Sequence, residues 1–559
     1  MGPEESELVF GALGGLGEVG MNAYLYGLGP AHSRSWLMVD LGITFPEGED
    51  DPGVDVILPD LRYLEGQRER LAGLLITHAH EDHIGAVIDL WPRLGCPVYA
   101  TAFTAGMLKA KLAEYGRRLS IPIEVLALDC RTTIGPFDVE LVSVAHSIPE
   151  TSALALRTPF GLVVHSADWK LDCEPYLGKP AAPSRFEAFG REGVHAFVCD
   201  STNAIRDGRS PSESEVAASL EKIIARAPHR VVVTTFSSNV ARIKACAAAA
   251  EATGRRLVVA GRALHRVIEV ALDAGYLPKN LAWLDQREFK HLKRNEVLCL
   301  CTGSQGEPRA ALARIADETH PDISLAKGDL VLFSSRTIPG NEKSIGAIQN
   351  ALVRTGVDIL TDDEALIHVT GHPRRDELKQ MYGWLKPKVV VPMHGEARHL
   401  MANAHLARSL GIAEVVPAFN GDIVRLAPGK AQIIDEVPVG RIFRDGKLLV
   451  PEGEGPIGER RKLAVAGIVV VALAVTAKGA LASEPIVEID GIPETDAEGE
   501  AIVDIAYDAV EATLRSIPPV RRRDTDVIEN AVRRAVRAAI FEAWGKKPVC
   551  KVLVSIVES

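Results

Sequence analysis

The chain has 559 residues, 47% hydrophobic and 25% charged, so it is globular over most of its length and long enough for about three to four domains. A formal charge of -11 excludes a uniformly basic coat for nucleic acid, although it leaves room for a local basic channel. Eight scattered cysteines without a C-x-x-C pair exclude a disulfide framework and a zinc ribbon and fit a reducing cytoplasm, and the acidic start Met1-Gly2-Pro3-Glu4-Glu5 is not a secretory signal.

Near the start, Gly15-Leu16-Gly17-Glu18-Val19-Gly20 satisfies G-x-G-x-x-G, and Asp40 follows about twenty residues later, as in a dinucleotide fingerprint. A dinucleotide loop must open a helix. Here Tyr24 and Tyr26 lead into Gly27, Gly29 and Pro30, so the pattern predicts a glycine-rich hairpin instead. Asp40 ends the apolar strand that starts at Trp36, where it can orient a ligand histidine from behind.

The run Leu74-Leu75-Ile76-Thr77 is too short for a helix and releases His78, His80, Asp82 and His83 within six residues. Histidines two apart can turn both rings to one point from a strand end, and Asp82 with His83 can serve a neighbouring point. The spacing therefore predicts two metal ions. Imidazole nitrogen and carboxylate oxygen suit zinc or manganese, and a pair of such ions can clamp both the attacking and the leaving oxygen of a phosphodiester.

Further strands end in the same way. Val142-Ser143-Val144-Ala145 precedes His146, and Leu162-Val163-Val164 leads to Asp168, which is placed to bridge two ions. Phe197-Val198-Cys199 ends at Asp200. The turn-rich Arg206 to Ser212 marks a boundary, after which helices alternate with strands as an inserted α/β domain. Within it Ser237, Ser238 and Asn239 lie between a strand and a helix, where they can receive a phosphate or cap the helix. No phosphate-binding P-loop is present. The chain then shows His368-Val369-Thr370-Gly371-His372 and, at the exit of another apolar strand, His394.

Pro451 to Pro456 reads as linker. The apolar run Leu463 to Ala477 is short for a bilayer and is expected as buried strand, so no membrane span is implied. Helical periodicity in Ile502 to Leu514 and Val527 to Val536, followed by a strand from Val549, predicts a small α/β domain. Its arginines, Arg521 to Arg523 and Arg533, Arg534 and Arg537, are expected on a solvated face, with RNA contact as the alternative.

Asp40, the block His78 to His83, His146 and Asp168 resemble the motifs of the metallo-β-lactamase superfamily, while Asp200, His372 and His394 resemble the three motifs of its β-CASP branch. Within that branch the chain is most similar to the bacterial ribonuclease J family over roughly residues 8 to 450. The resemblance implies an α/β fold, a metallo-β-lactamase αββα sandwich over 1–210 and 361–445 with an inserted β-CASP domain over 211–360; turn composition and periodicity beyond it add a linker over 446–462 and a C-terminal α/β domain over 463–559. It implies one metal on His78, His80, His146 and Asp168, and a second on Asp82, His83, Asp168 and His394, with zinc ahead of manganese. His372 is then the general acid, Asp200 its partner, and Ser237, Ser238, Asn239 and His368 to His372 the seat of a 5′ phosphate. The implied activity is hydrolysis of single-stranded RNA, from 5′-monophosphate ends and internally. The implied partners are a second or fourth copy of the chain, through the C-terminal region, and RNA-decay or ribosome-associated proteins. His394 resembles RNA-cleaving members, against DNA-processing or small-molecule hydrolases on the same fold. Thr370 departs from the usual serine but keeps the hydroxyl.

Overall fold

The computed structural model describes residues 6–46, 50–115, 119–180, 182–338 and 340–557. Their contacts divide the chain into two units, Met1–Phe45 with Val56–Ile442, and Pro46–Asp55 with Phe443–Ser559.

In the first unit, short runs of β-branched and aromatic residues form two large sheets that bury their facing sides. One runs in the order Gln432–Glu436, Asp422–Ala427, Glu7–Gly14, Ala23–Gly29, Ser35–Val39, Leu71–Leu75, Val98–Thr101, Ile123–Leu126. The other runs Glu414–Val415, Val389–Met393, Val194–Asp200, Gly161–His165, Ser152–Thr158, Phe137–Ser143, Arg131–Ile134. Phe10, Tyr26, Leu37 and Val39 from the first sheet meet Leu141, Leu154, Val163, Val198 and Val391 from the second in one continuous core. Phe186, Phe189, Leu378, Met381 and Leu406 from three helices cover the outer side of the second sheet. This is the expected αββα sandwich.

The arrangement fixes where chemistry can sit. Ser35–Val39 is parallel to Leu71–Leu75, and Gly161–His165, Val194–Asp200 and Val389–Met393 are mutually parallel. Parallel neighbours release their carboxyl ends along one edge, the usual place for a site in such sheets. Asp40, His78, Asp168, Asp200 and His394 all follow or end these strands. The inserted domain is a parallel six-stranded sheet, entered through the helix Glu213–Arg226. Ser212 caps that helix by accepting from Ser214 N at 3.1 Å while donating its own N–H to Glu215.

The glycine-rich start is a hairpin, as its composition predicts: Glu7–Gly14 pairs antiparallel with Ala23–Gly29. Its tip, Leu16–Gly17, pairs in parallel with Gly395–Glu396, and Gly15, Gly17 and Gly20 all have positive φ, which explains the glycines without a dinucleotide. The ligand stretch differs from a simple loop. Glu81–Ile84 forms one helical turn, with Glu81 and Asp82 at its positive end.

In the second unit, strand Ile468–Thr476 pairs antiparallel with Ile486–Asp490 and parallel with Val549–Val557, and helices Ile502–Ser516 and Thr525–Trp544 cover one face. Two expectations need correction. The segment 446–462, read as linker, carries strand Leu448–Pro451 and the start of helix Ile457–Ala466, because Arg460 and Arg461 pair with Asp445 and Asp51 and hold the turn-rich stretch in place. The apolar run from Leu463 is accordingly not all strand, since its first four residues finish that helix before Gly467. Residues 46–55 cluster with this unit rather than with the sandwich.

Ile528 is fully buried between the two helices and the sheet. Ile528→Ala is expected to remove about 2–5 kcal/mol from this unit. The loss would be read as faster hydrogen exchange in helix Thr525–Trp544, and unchanged protection there would contradict the packing.

Candidate metal centre

Seven side chains from four separate chain segments meet at the sheet edge. His78 Nε2 and His146 Nε2 each lie 3.1 Å from His80 Nδ1. The far nitrogens of two of these rings are committed: His146 Nδ1 donates to the Gly371 carbonyl at 2.7 Å, and His78 Nδ1 donates to Thr77 Oγ1 at 2.9 Å. Thr77 Oγ1 in turn donates to Asp40 Oδ2 at 2.8 Å. The remaining nitrogens therefore aim lone pairs at one point. Burial, reinforced by neighbouring histidines, keeps these rings neutral: His78 and His146 lie well below the usual imidazole range and His80 is pushed down to about 4.

Asp168 closes this group and opens the next. Its Oδ2 is 3.6 Å from His78 Nε2 and 3.7 Å from His146 Nε2 on one side. On the other side it is 3.3 Å from His83 Nε2 and 3.5 Å from His394 Nε2. Asp82 Oδ2 completes the second group at 3.4 Å from His83 and 3.9 Å from His394. A tetrahedron of zinc bonds to nitrogen and oxygen has edges of about 3.3–3.4 Å, so both groups have the dimensions of a ligand cage. The buried Asp168 Oδ1 has no hydrogen-bond partner, as expected of a carboxylate whose counter-charge is a cation. Three nitrogens with one shared carboxylate, and two nitrogens with two carboxylates, fit divalent zinc or manganese.

A second layer aims the ligands. His83 Nδ1 donates to Asp40 Oδ2 at 2.7 Å, and Thr77 N donates to Asp40 Oδ1 at 2.8 Å. His394 Nδ1 donates to Asn22 Oδ1 at 2.9 Å, where the Tyr24 hydroxyl also donates at 2.7 Å. Asn22 Nδ2 reaches Asp82 Oδ2 at 3.2 Å. Asp40, Ala167 and His394 have φ near +50 to +63°, so the backbone is held in the left-handed region at three of the strand exits that aim these groups. His83 differs electrically from the first three histidines. Burial lowers its pKa, but Asp168, Asp82 and Asp40 together outweigh burial and hold it well above the ordinary value. Asp168 and Asp82 are correspondingly held below the carboxylate range, the histidines prevailing over burial. A cation bound here would take the place of that proton.

Beside the cages, His372 Nδ1 donates to Asp200 Oδ2 at 2.8 Å and lies 4.0 Å from Asp168. Burial lowers this imidazole, yet Asp200 and then Asp168 raise it to about 9, so it is protonated at neutral pH. Asp200 Oδ1 accepts from Thr202 N and Oγ1.

The expected phosphate residues are placed unevenly. Thr370 Oγ1 accepts from Asn203 Nδ2 at 2.8 Å and from His372 N at 3.2 Å, which leaves its own proton to donate outward. A Cβ on Gly371 would stand 2.4 Å from His146 Cε1, so only glycine lets the loop lie against that ring. Val369 is buried and offers only backbone. Asn239 Oδ1 caps helix Val240–Ala252 by accepting from Arg242 N at 2.9 Å, the ordinary alternative to phosphate contact, while Ser237 and Ser238 are half-buried at the strand exit. His368 Nδ1 is buried without a partner. Burial, and then Arg242, Arg336 and Lys170, push this ring well below the imidazole range and make its surroundings positive.

Asn22, Thr77, Tyr24 and Asn203 escape reading from the chain alone. Only Thr77 and Asn22 carried a signal, the first as neighbour of His78 and the second as the end of the glycine loop.

Residues 16–232 match the Metallo-beta-lactamase superfamily, and residues 228–352 match the family described as Ribonuclease J, beta-CASP domain. Residues 357–417 match the Zn-dependent metallo-hydrolase RNA specificity domain, and residues 455–559 the Ribonuclease J C-terminal domain. A protein named Ribonuclease J from Sinorhizobium meliloti is 52% identical over 99% of this chain and 98% of its own length. Proteins of the same name from Mycolicibacterium smegmatis and Corynebacterium glutamicum are 37% and 35% identical, each over 96% of this chain and over 95% and 74% of their own lengths. Similarity of this strength, running through all four segments in order, means that the chain belongs to the ribonuclease J family of the metallo-β-lactamase superfamily.

Proposed function

We propose that this chain is a two-metal ribonuclease that hydrolyses single-stranded RNA, trimming 5′ to 3′ from monophosphorylated ends and also cutting internally, in RNA decay and maturation. The observation that carries the reading is the single Asp168 oxygen standing between two sets of imidazoles at 3.3–3.7 Å. His78, His80, His146 and Asp168 would hold one ion, and Asp82, His83, Asp168 and His394 the other, with zinc the first expectation and manganese the second. When bound, the ions supply Lewis-acid chemistry and a nucleophile from water at neutral pH.

The chain's own residues do the rest. Asp40 and Asn22 keep His83 and His394 in the tautomer that turns Nε2 inward. His372, charged and held through Nδ1 by Asp200, keeps a fifth of its side chain exposed and is the general acid that gives a proton to the leaving 3′ oxygen. Thr370, Ser237, Ser238 and His368 receive the 5′ phosphate and set the cut one nucleotide from the end. Neighbouring backbone N–H groups assist them. The zinc-dependent, RNA-specific family match over 357–417, which includes His368 to His372 and His394, supports RNA as the substrate.

Homodimers or homotetramers are expected through the C-terminal unit, whose uncovered sheet face exposes Ile486 and Leu553. RNA-decay or ribosome-associated proteins are further candidate partners. A cytoplasmic location fits eight unpaired cysteines, and among the described residues no helix is long and apolar enough to cross a membrane.

Three outcomes test the reading. His80→Ala should lower bound metal by about one ion per chain in elemental analysis and abolish chelator-sensitive cleavage. Full metal content and full activity would remove His80 from the cage. In Thr370→Val the preference for 5′-monophosphate over 5′-hydroxyl RNA should fall about ten- to a hundredfold, the range of a hydrogen bond to a charged group. Equal losses of trimming and internal cutting would contradict the pocket. The third test is pH. The protonated His372 is the active form, so cleavage is lost as pH rises through its pKa, and Asp200→Asn removes the main group that raises it. The alkaline fall in rate should therefore move to lower pH in that variant, and an unmoved profile would assign the acid elsewhere.

A further inference from the structure

Arg242 lies in the first turn of helix Val240–Ala252, wholly buried, and belongs to neither the metal cages nor the His372 pair. Its guanidinium reaches out of the inserted domain. Nη1 donates to the Ile367 carbonyl at 2.6 Å, to the Ser334 carbonyl at 3.2 Å and to the Ser334 hydroxyl, and Nη2 pairs with Glu213 Oε2 at 3.0 Å. The Ser334 hydroxyl itself donates to the same Ile367 carbonyl at 2.6 Å. Ile367 is the residue before His368, so these bonds hold the start of the loop His368 to His372.

The other end of that loop is held by the metal centre. His146 Nδ1 donates to the Gly371 carbonyl at 2.7 Å. A segment of four residues is thus gripped at one end by a metal-cage histidine and at the other by a buried arginine. Between the grips lie His368 and Thr370, the side chains assigned to the 5′ phosphate. Glu213 is held in turn: its backbone N–H donates to Asp172 Oδ2 at 3.1 Å, Lys170 Nζ pairs with the same oxygen at 3.2 Å, and Lys170 N donates to the carbonyl of Ala145, next to His146. The line of buried charges therefore starts and ends at the two grips.

We propose that Arg242 and Glu213 form a positioning pair that sets the distance between the 5′-phosphate pocket and the metal centre, and so fixes the length of the product. The inference rests on the proposed function, in that it takes the 5′-phosphate pocket as given. The pair touches no substrate. It acts by holding one end of the loop that does. Only the planar fork of arginine can reach the Ile367 and Ser334 carbonyls and Glu213 at once, because lysine has a single charged nitrogen. Glu213 is needed because an unpaired buried guanidinium would move to find another acceptor.

The test uses the metal-loaded full-length chain. Arg242→Lys and the paired variant Glu213→Gln with Arg242→Gln, which removes both charges together, are compared with the unaltered chain and with Thr370→Val. Two substrates are used: 5′-monophosphorylated single-stranded RNA, with product lengths resolved, and circular single-stranded RNA, which has no end to measure from. The pair's role predicts that the Arg242 variants release a mixture of mononucleotides and longer products. It also predicts that cutting of circular RNA stays within about twofold, because the metal centre is untouched. Mononucleotides alone, with both activities falling in proportion, would show a merely structural role and overturn the proposal. If Thr370→Val loses 5′-monophosphate preference while product length is unchanged in the Arg242 variants, the pocket stands and the positioning role falls. If Thr370→Val keeps that preference, the pocket reading fails and the positioning role fails with it.

Discussion

One carboxylate oxygen organises this molecule. Asp168 Oδ2 stands within 3.7 Å of four imidazole nitrogens, two on each side, at the carboxyl edge of a buried sheet. Such a concentration of lone pairs and charge is unfavourable in an apolar interior unless cations share it. Everything around it serves that arrangement. Asp40, Thr77 and Asn22 take up the outward nitrogens of His83, His78 and His394 so that the inward ones have no choice of direction. The left-handed backbone at Asp40, Ala167 and His394 turns the strand exits toward one another. Gly42 is pressed onto the peptide after Asp82 so closely that an added Cβ would lie 1.6 Å from the Asp82 carbonyl oxygen.

The returning segment Ile367 to His372 is tied by polar contacts both to the metal centre and to the inserted domain. His146 donates to Gly371, Asn203 donates to Thr370, and Arg242 reaches Ile367. That loop therefore shares its supports with the metal cage on one side and with the inserted domain on the other.

Much of this was legible in the chain because the informative residues stand at discontinuities. His78, His146, Asp168, Asp200 and His394 each end or follow an apolar run, and a buried strand ending in a metal-type ligand has few bland explanations. The glycine fingerprint was also legible as a hairpin, because tyrosines and further glycines follow where a helix should begin. Other contributions were hidden for physical reasons. Asn22 meets His394 across 372 residues, a contact that exists only once the sheets pair. Arg242 sits in an unremarkable helical stretch, and its bonds to Ser334, Ile367 and Glu213 exist only in the folded chain. Asn239 is the type of residue that either caps a helix or meets a phosphate, and its bond to Arg242 N shows the cap. Helix Ile457–Ala466 lacks an apolar stripe and is held by arginine pairs with Asp445 and Asp51, so its glycine-rich approach read as linker.

The order in which the cluster is spelled out along the chain has its own consequence. The tip of the amino-terminal hairpin pairs with Gly395–Glu396, and His372 and His394 stand more than two hundred residues after Asp168. At ordinary rates of translation those 226 residues take roughly ten to forty-five seconds to make. Throughout that interval the nascent chain carries only part of the second ligand group. The second ligand group therefore cannot close until the chain has returned to the sandwich, however early the first sheet forms.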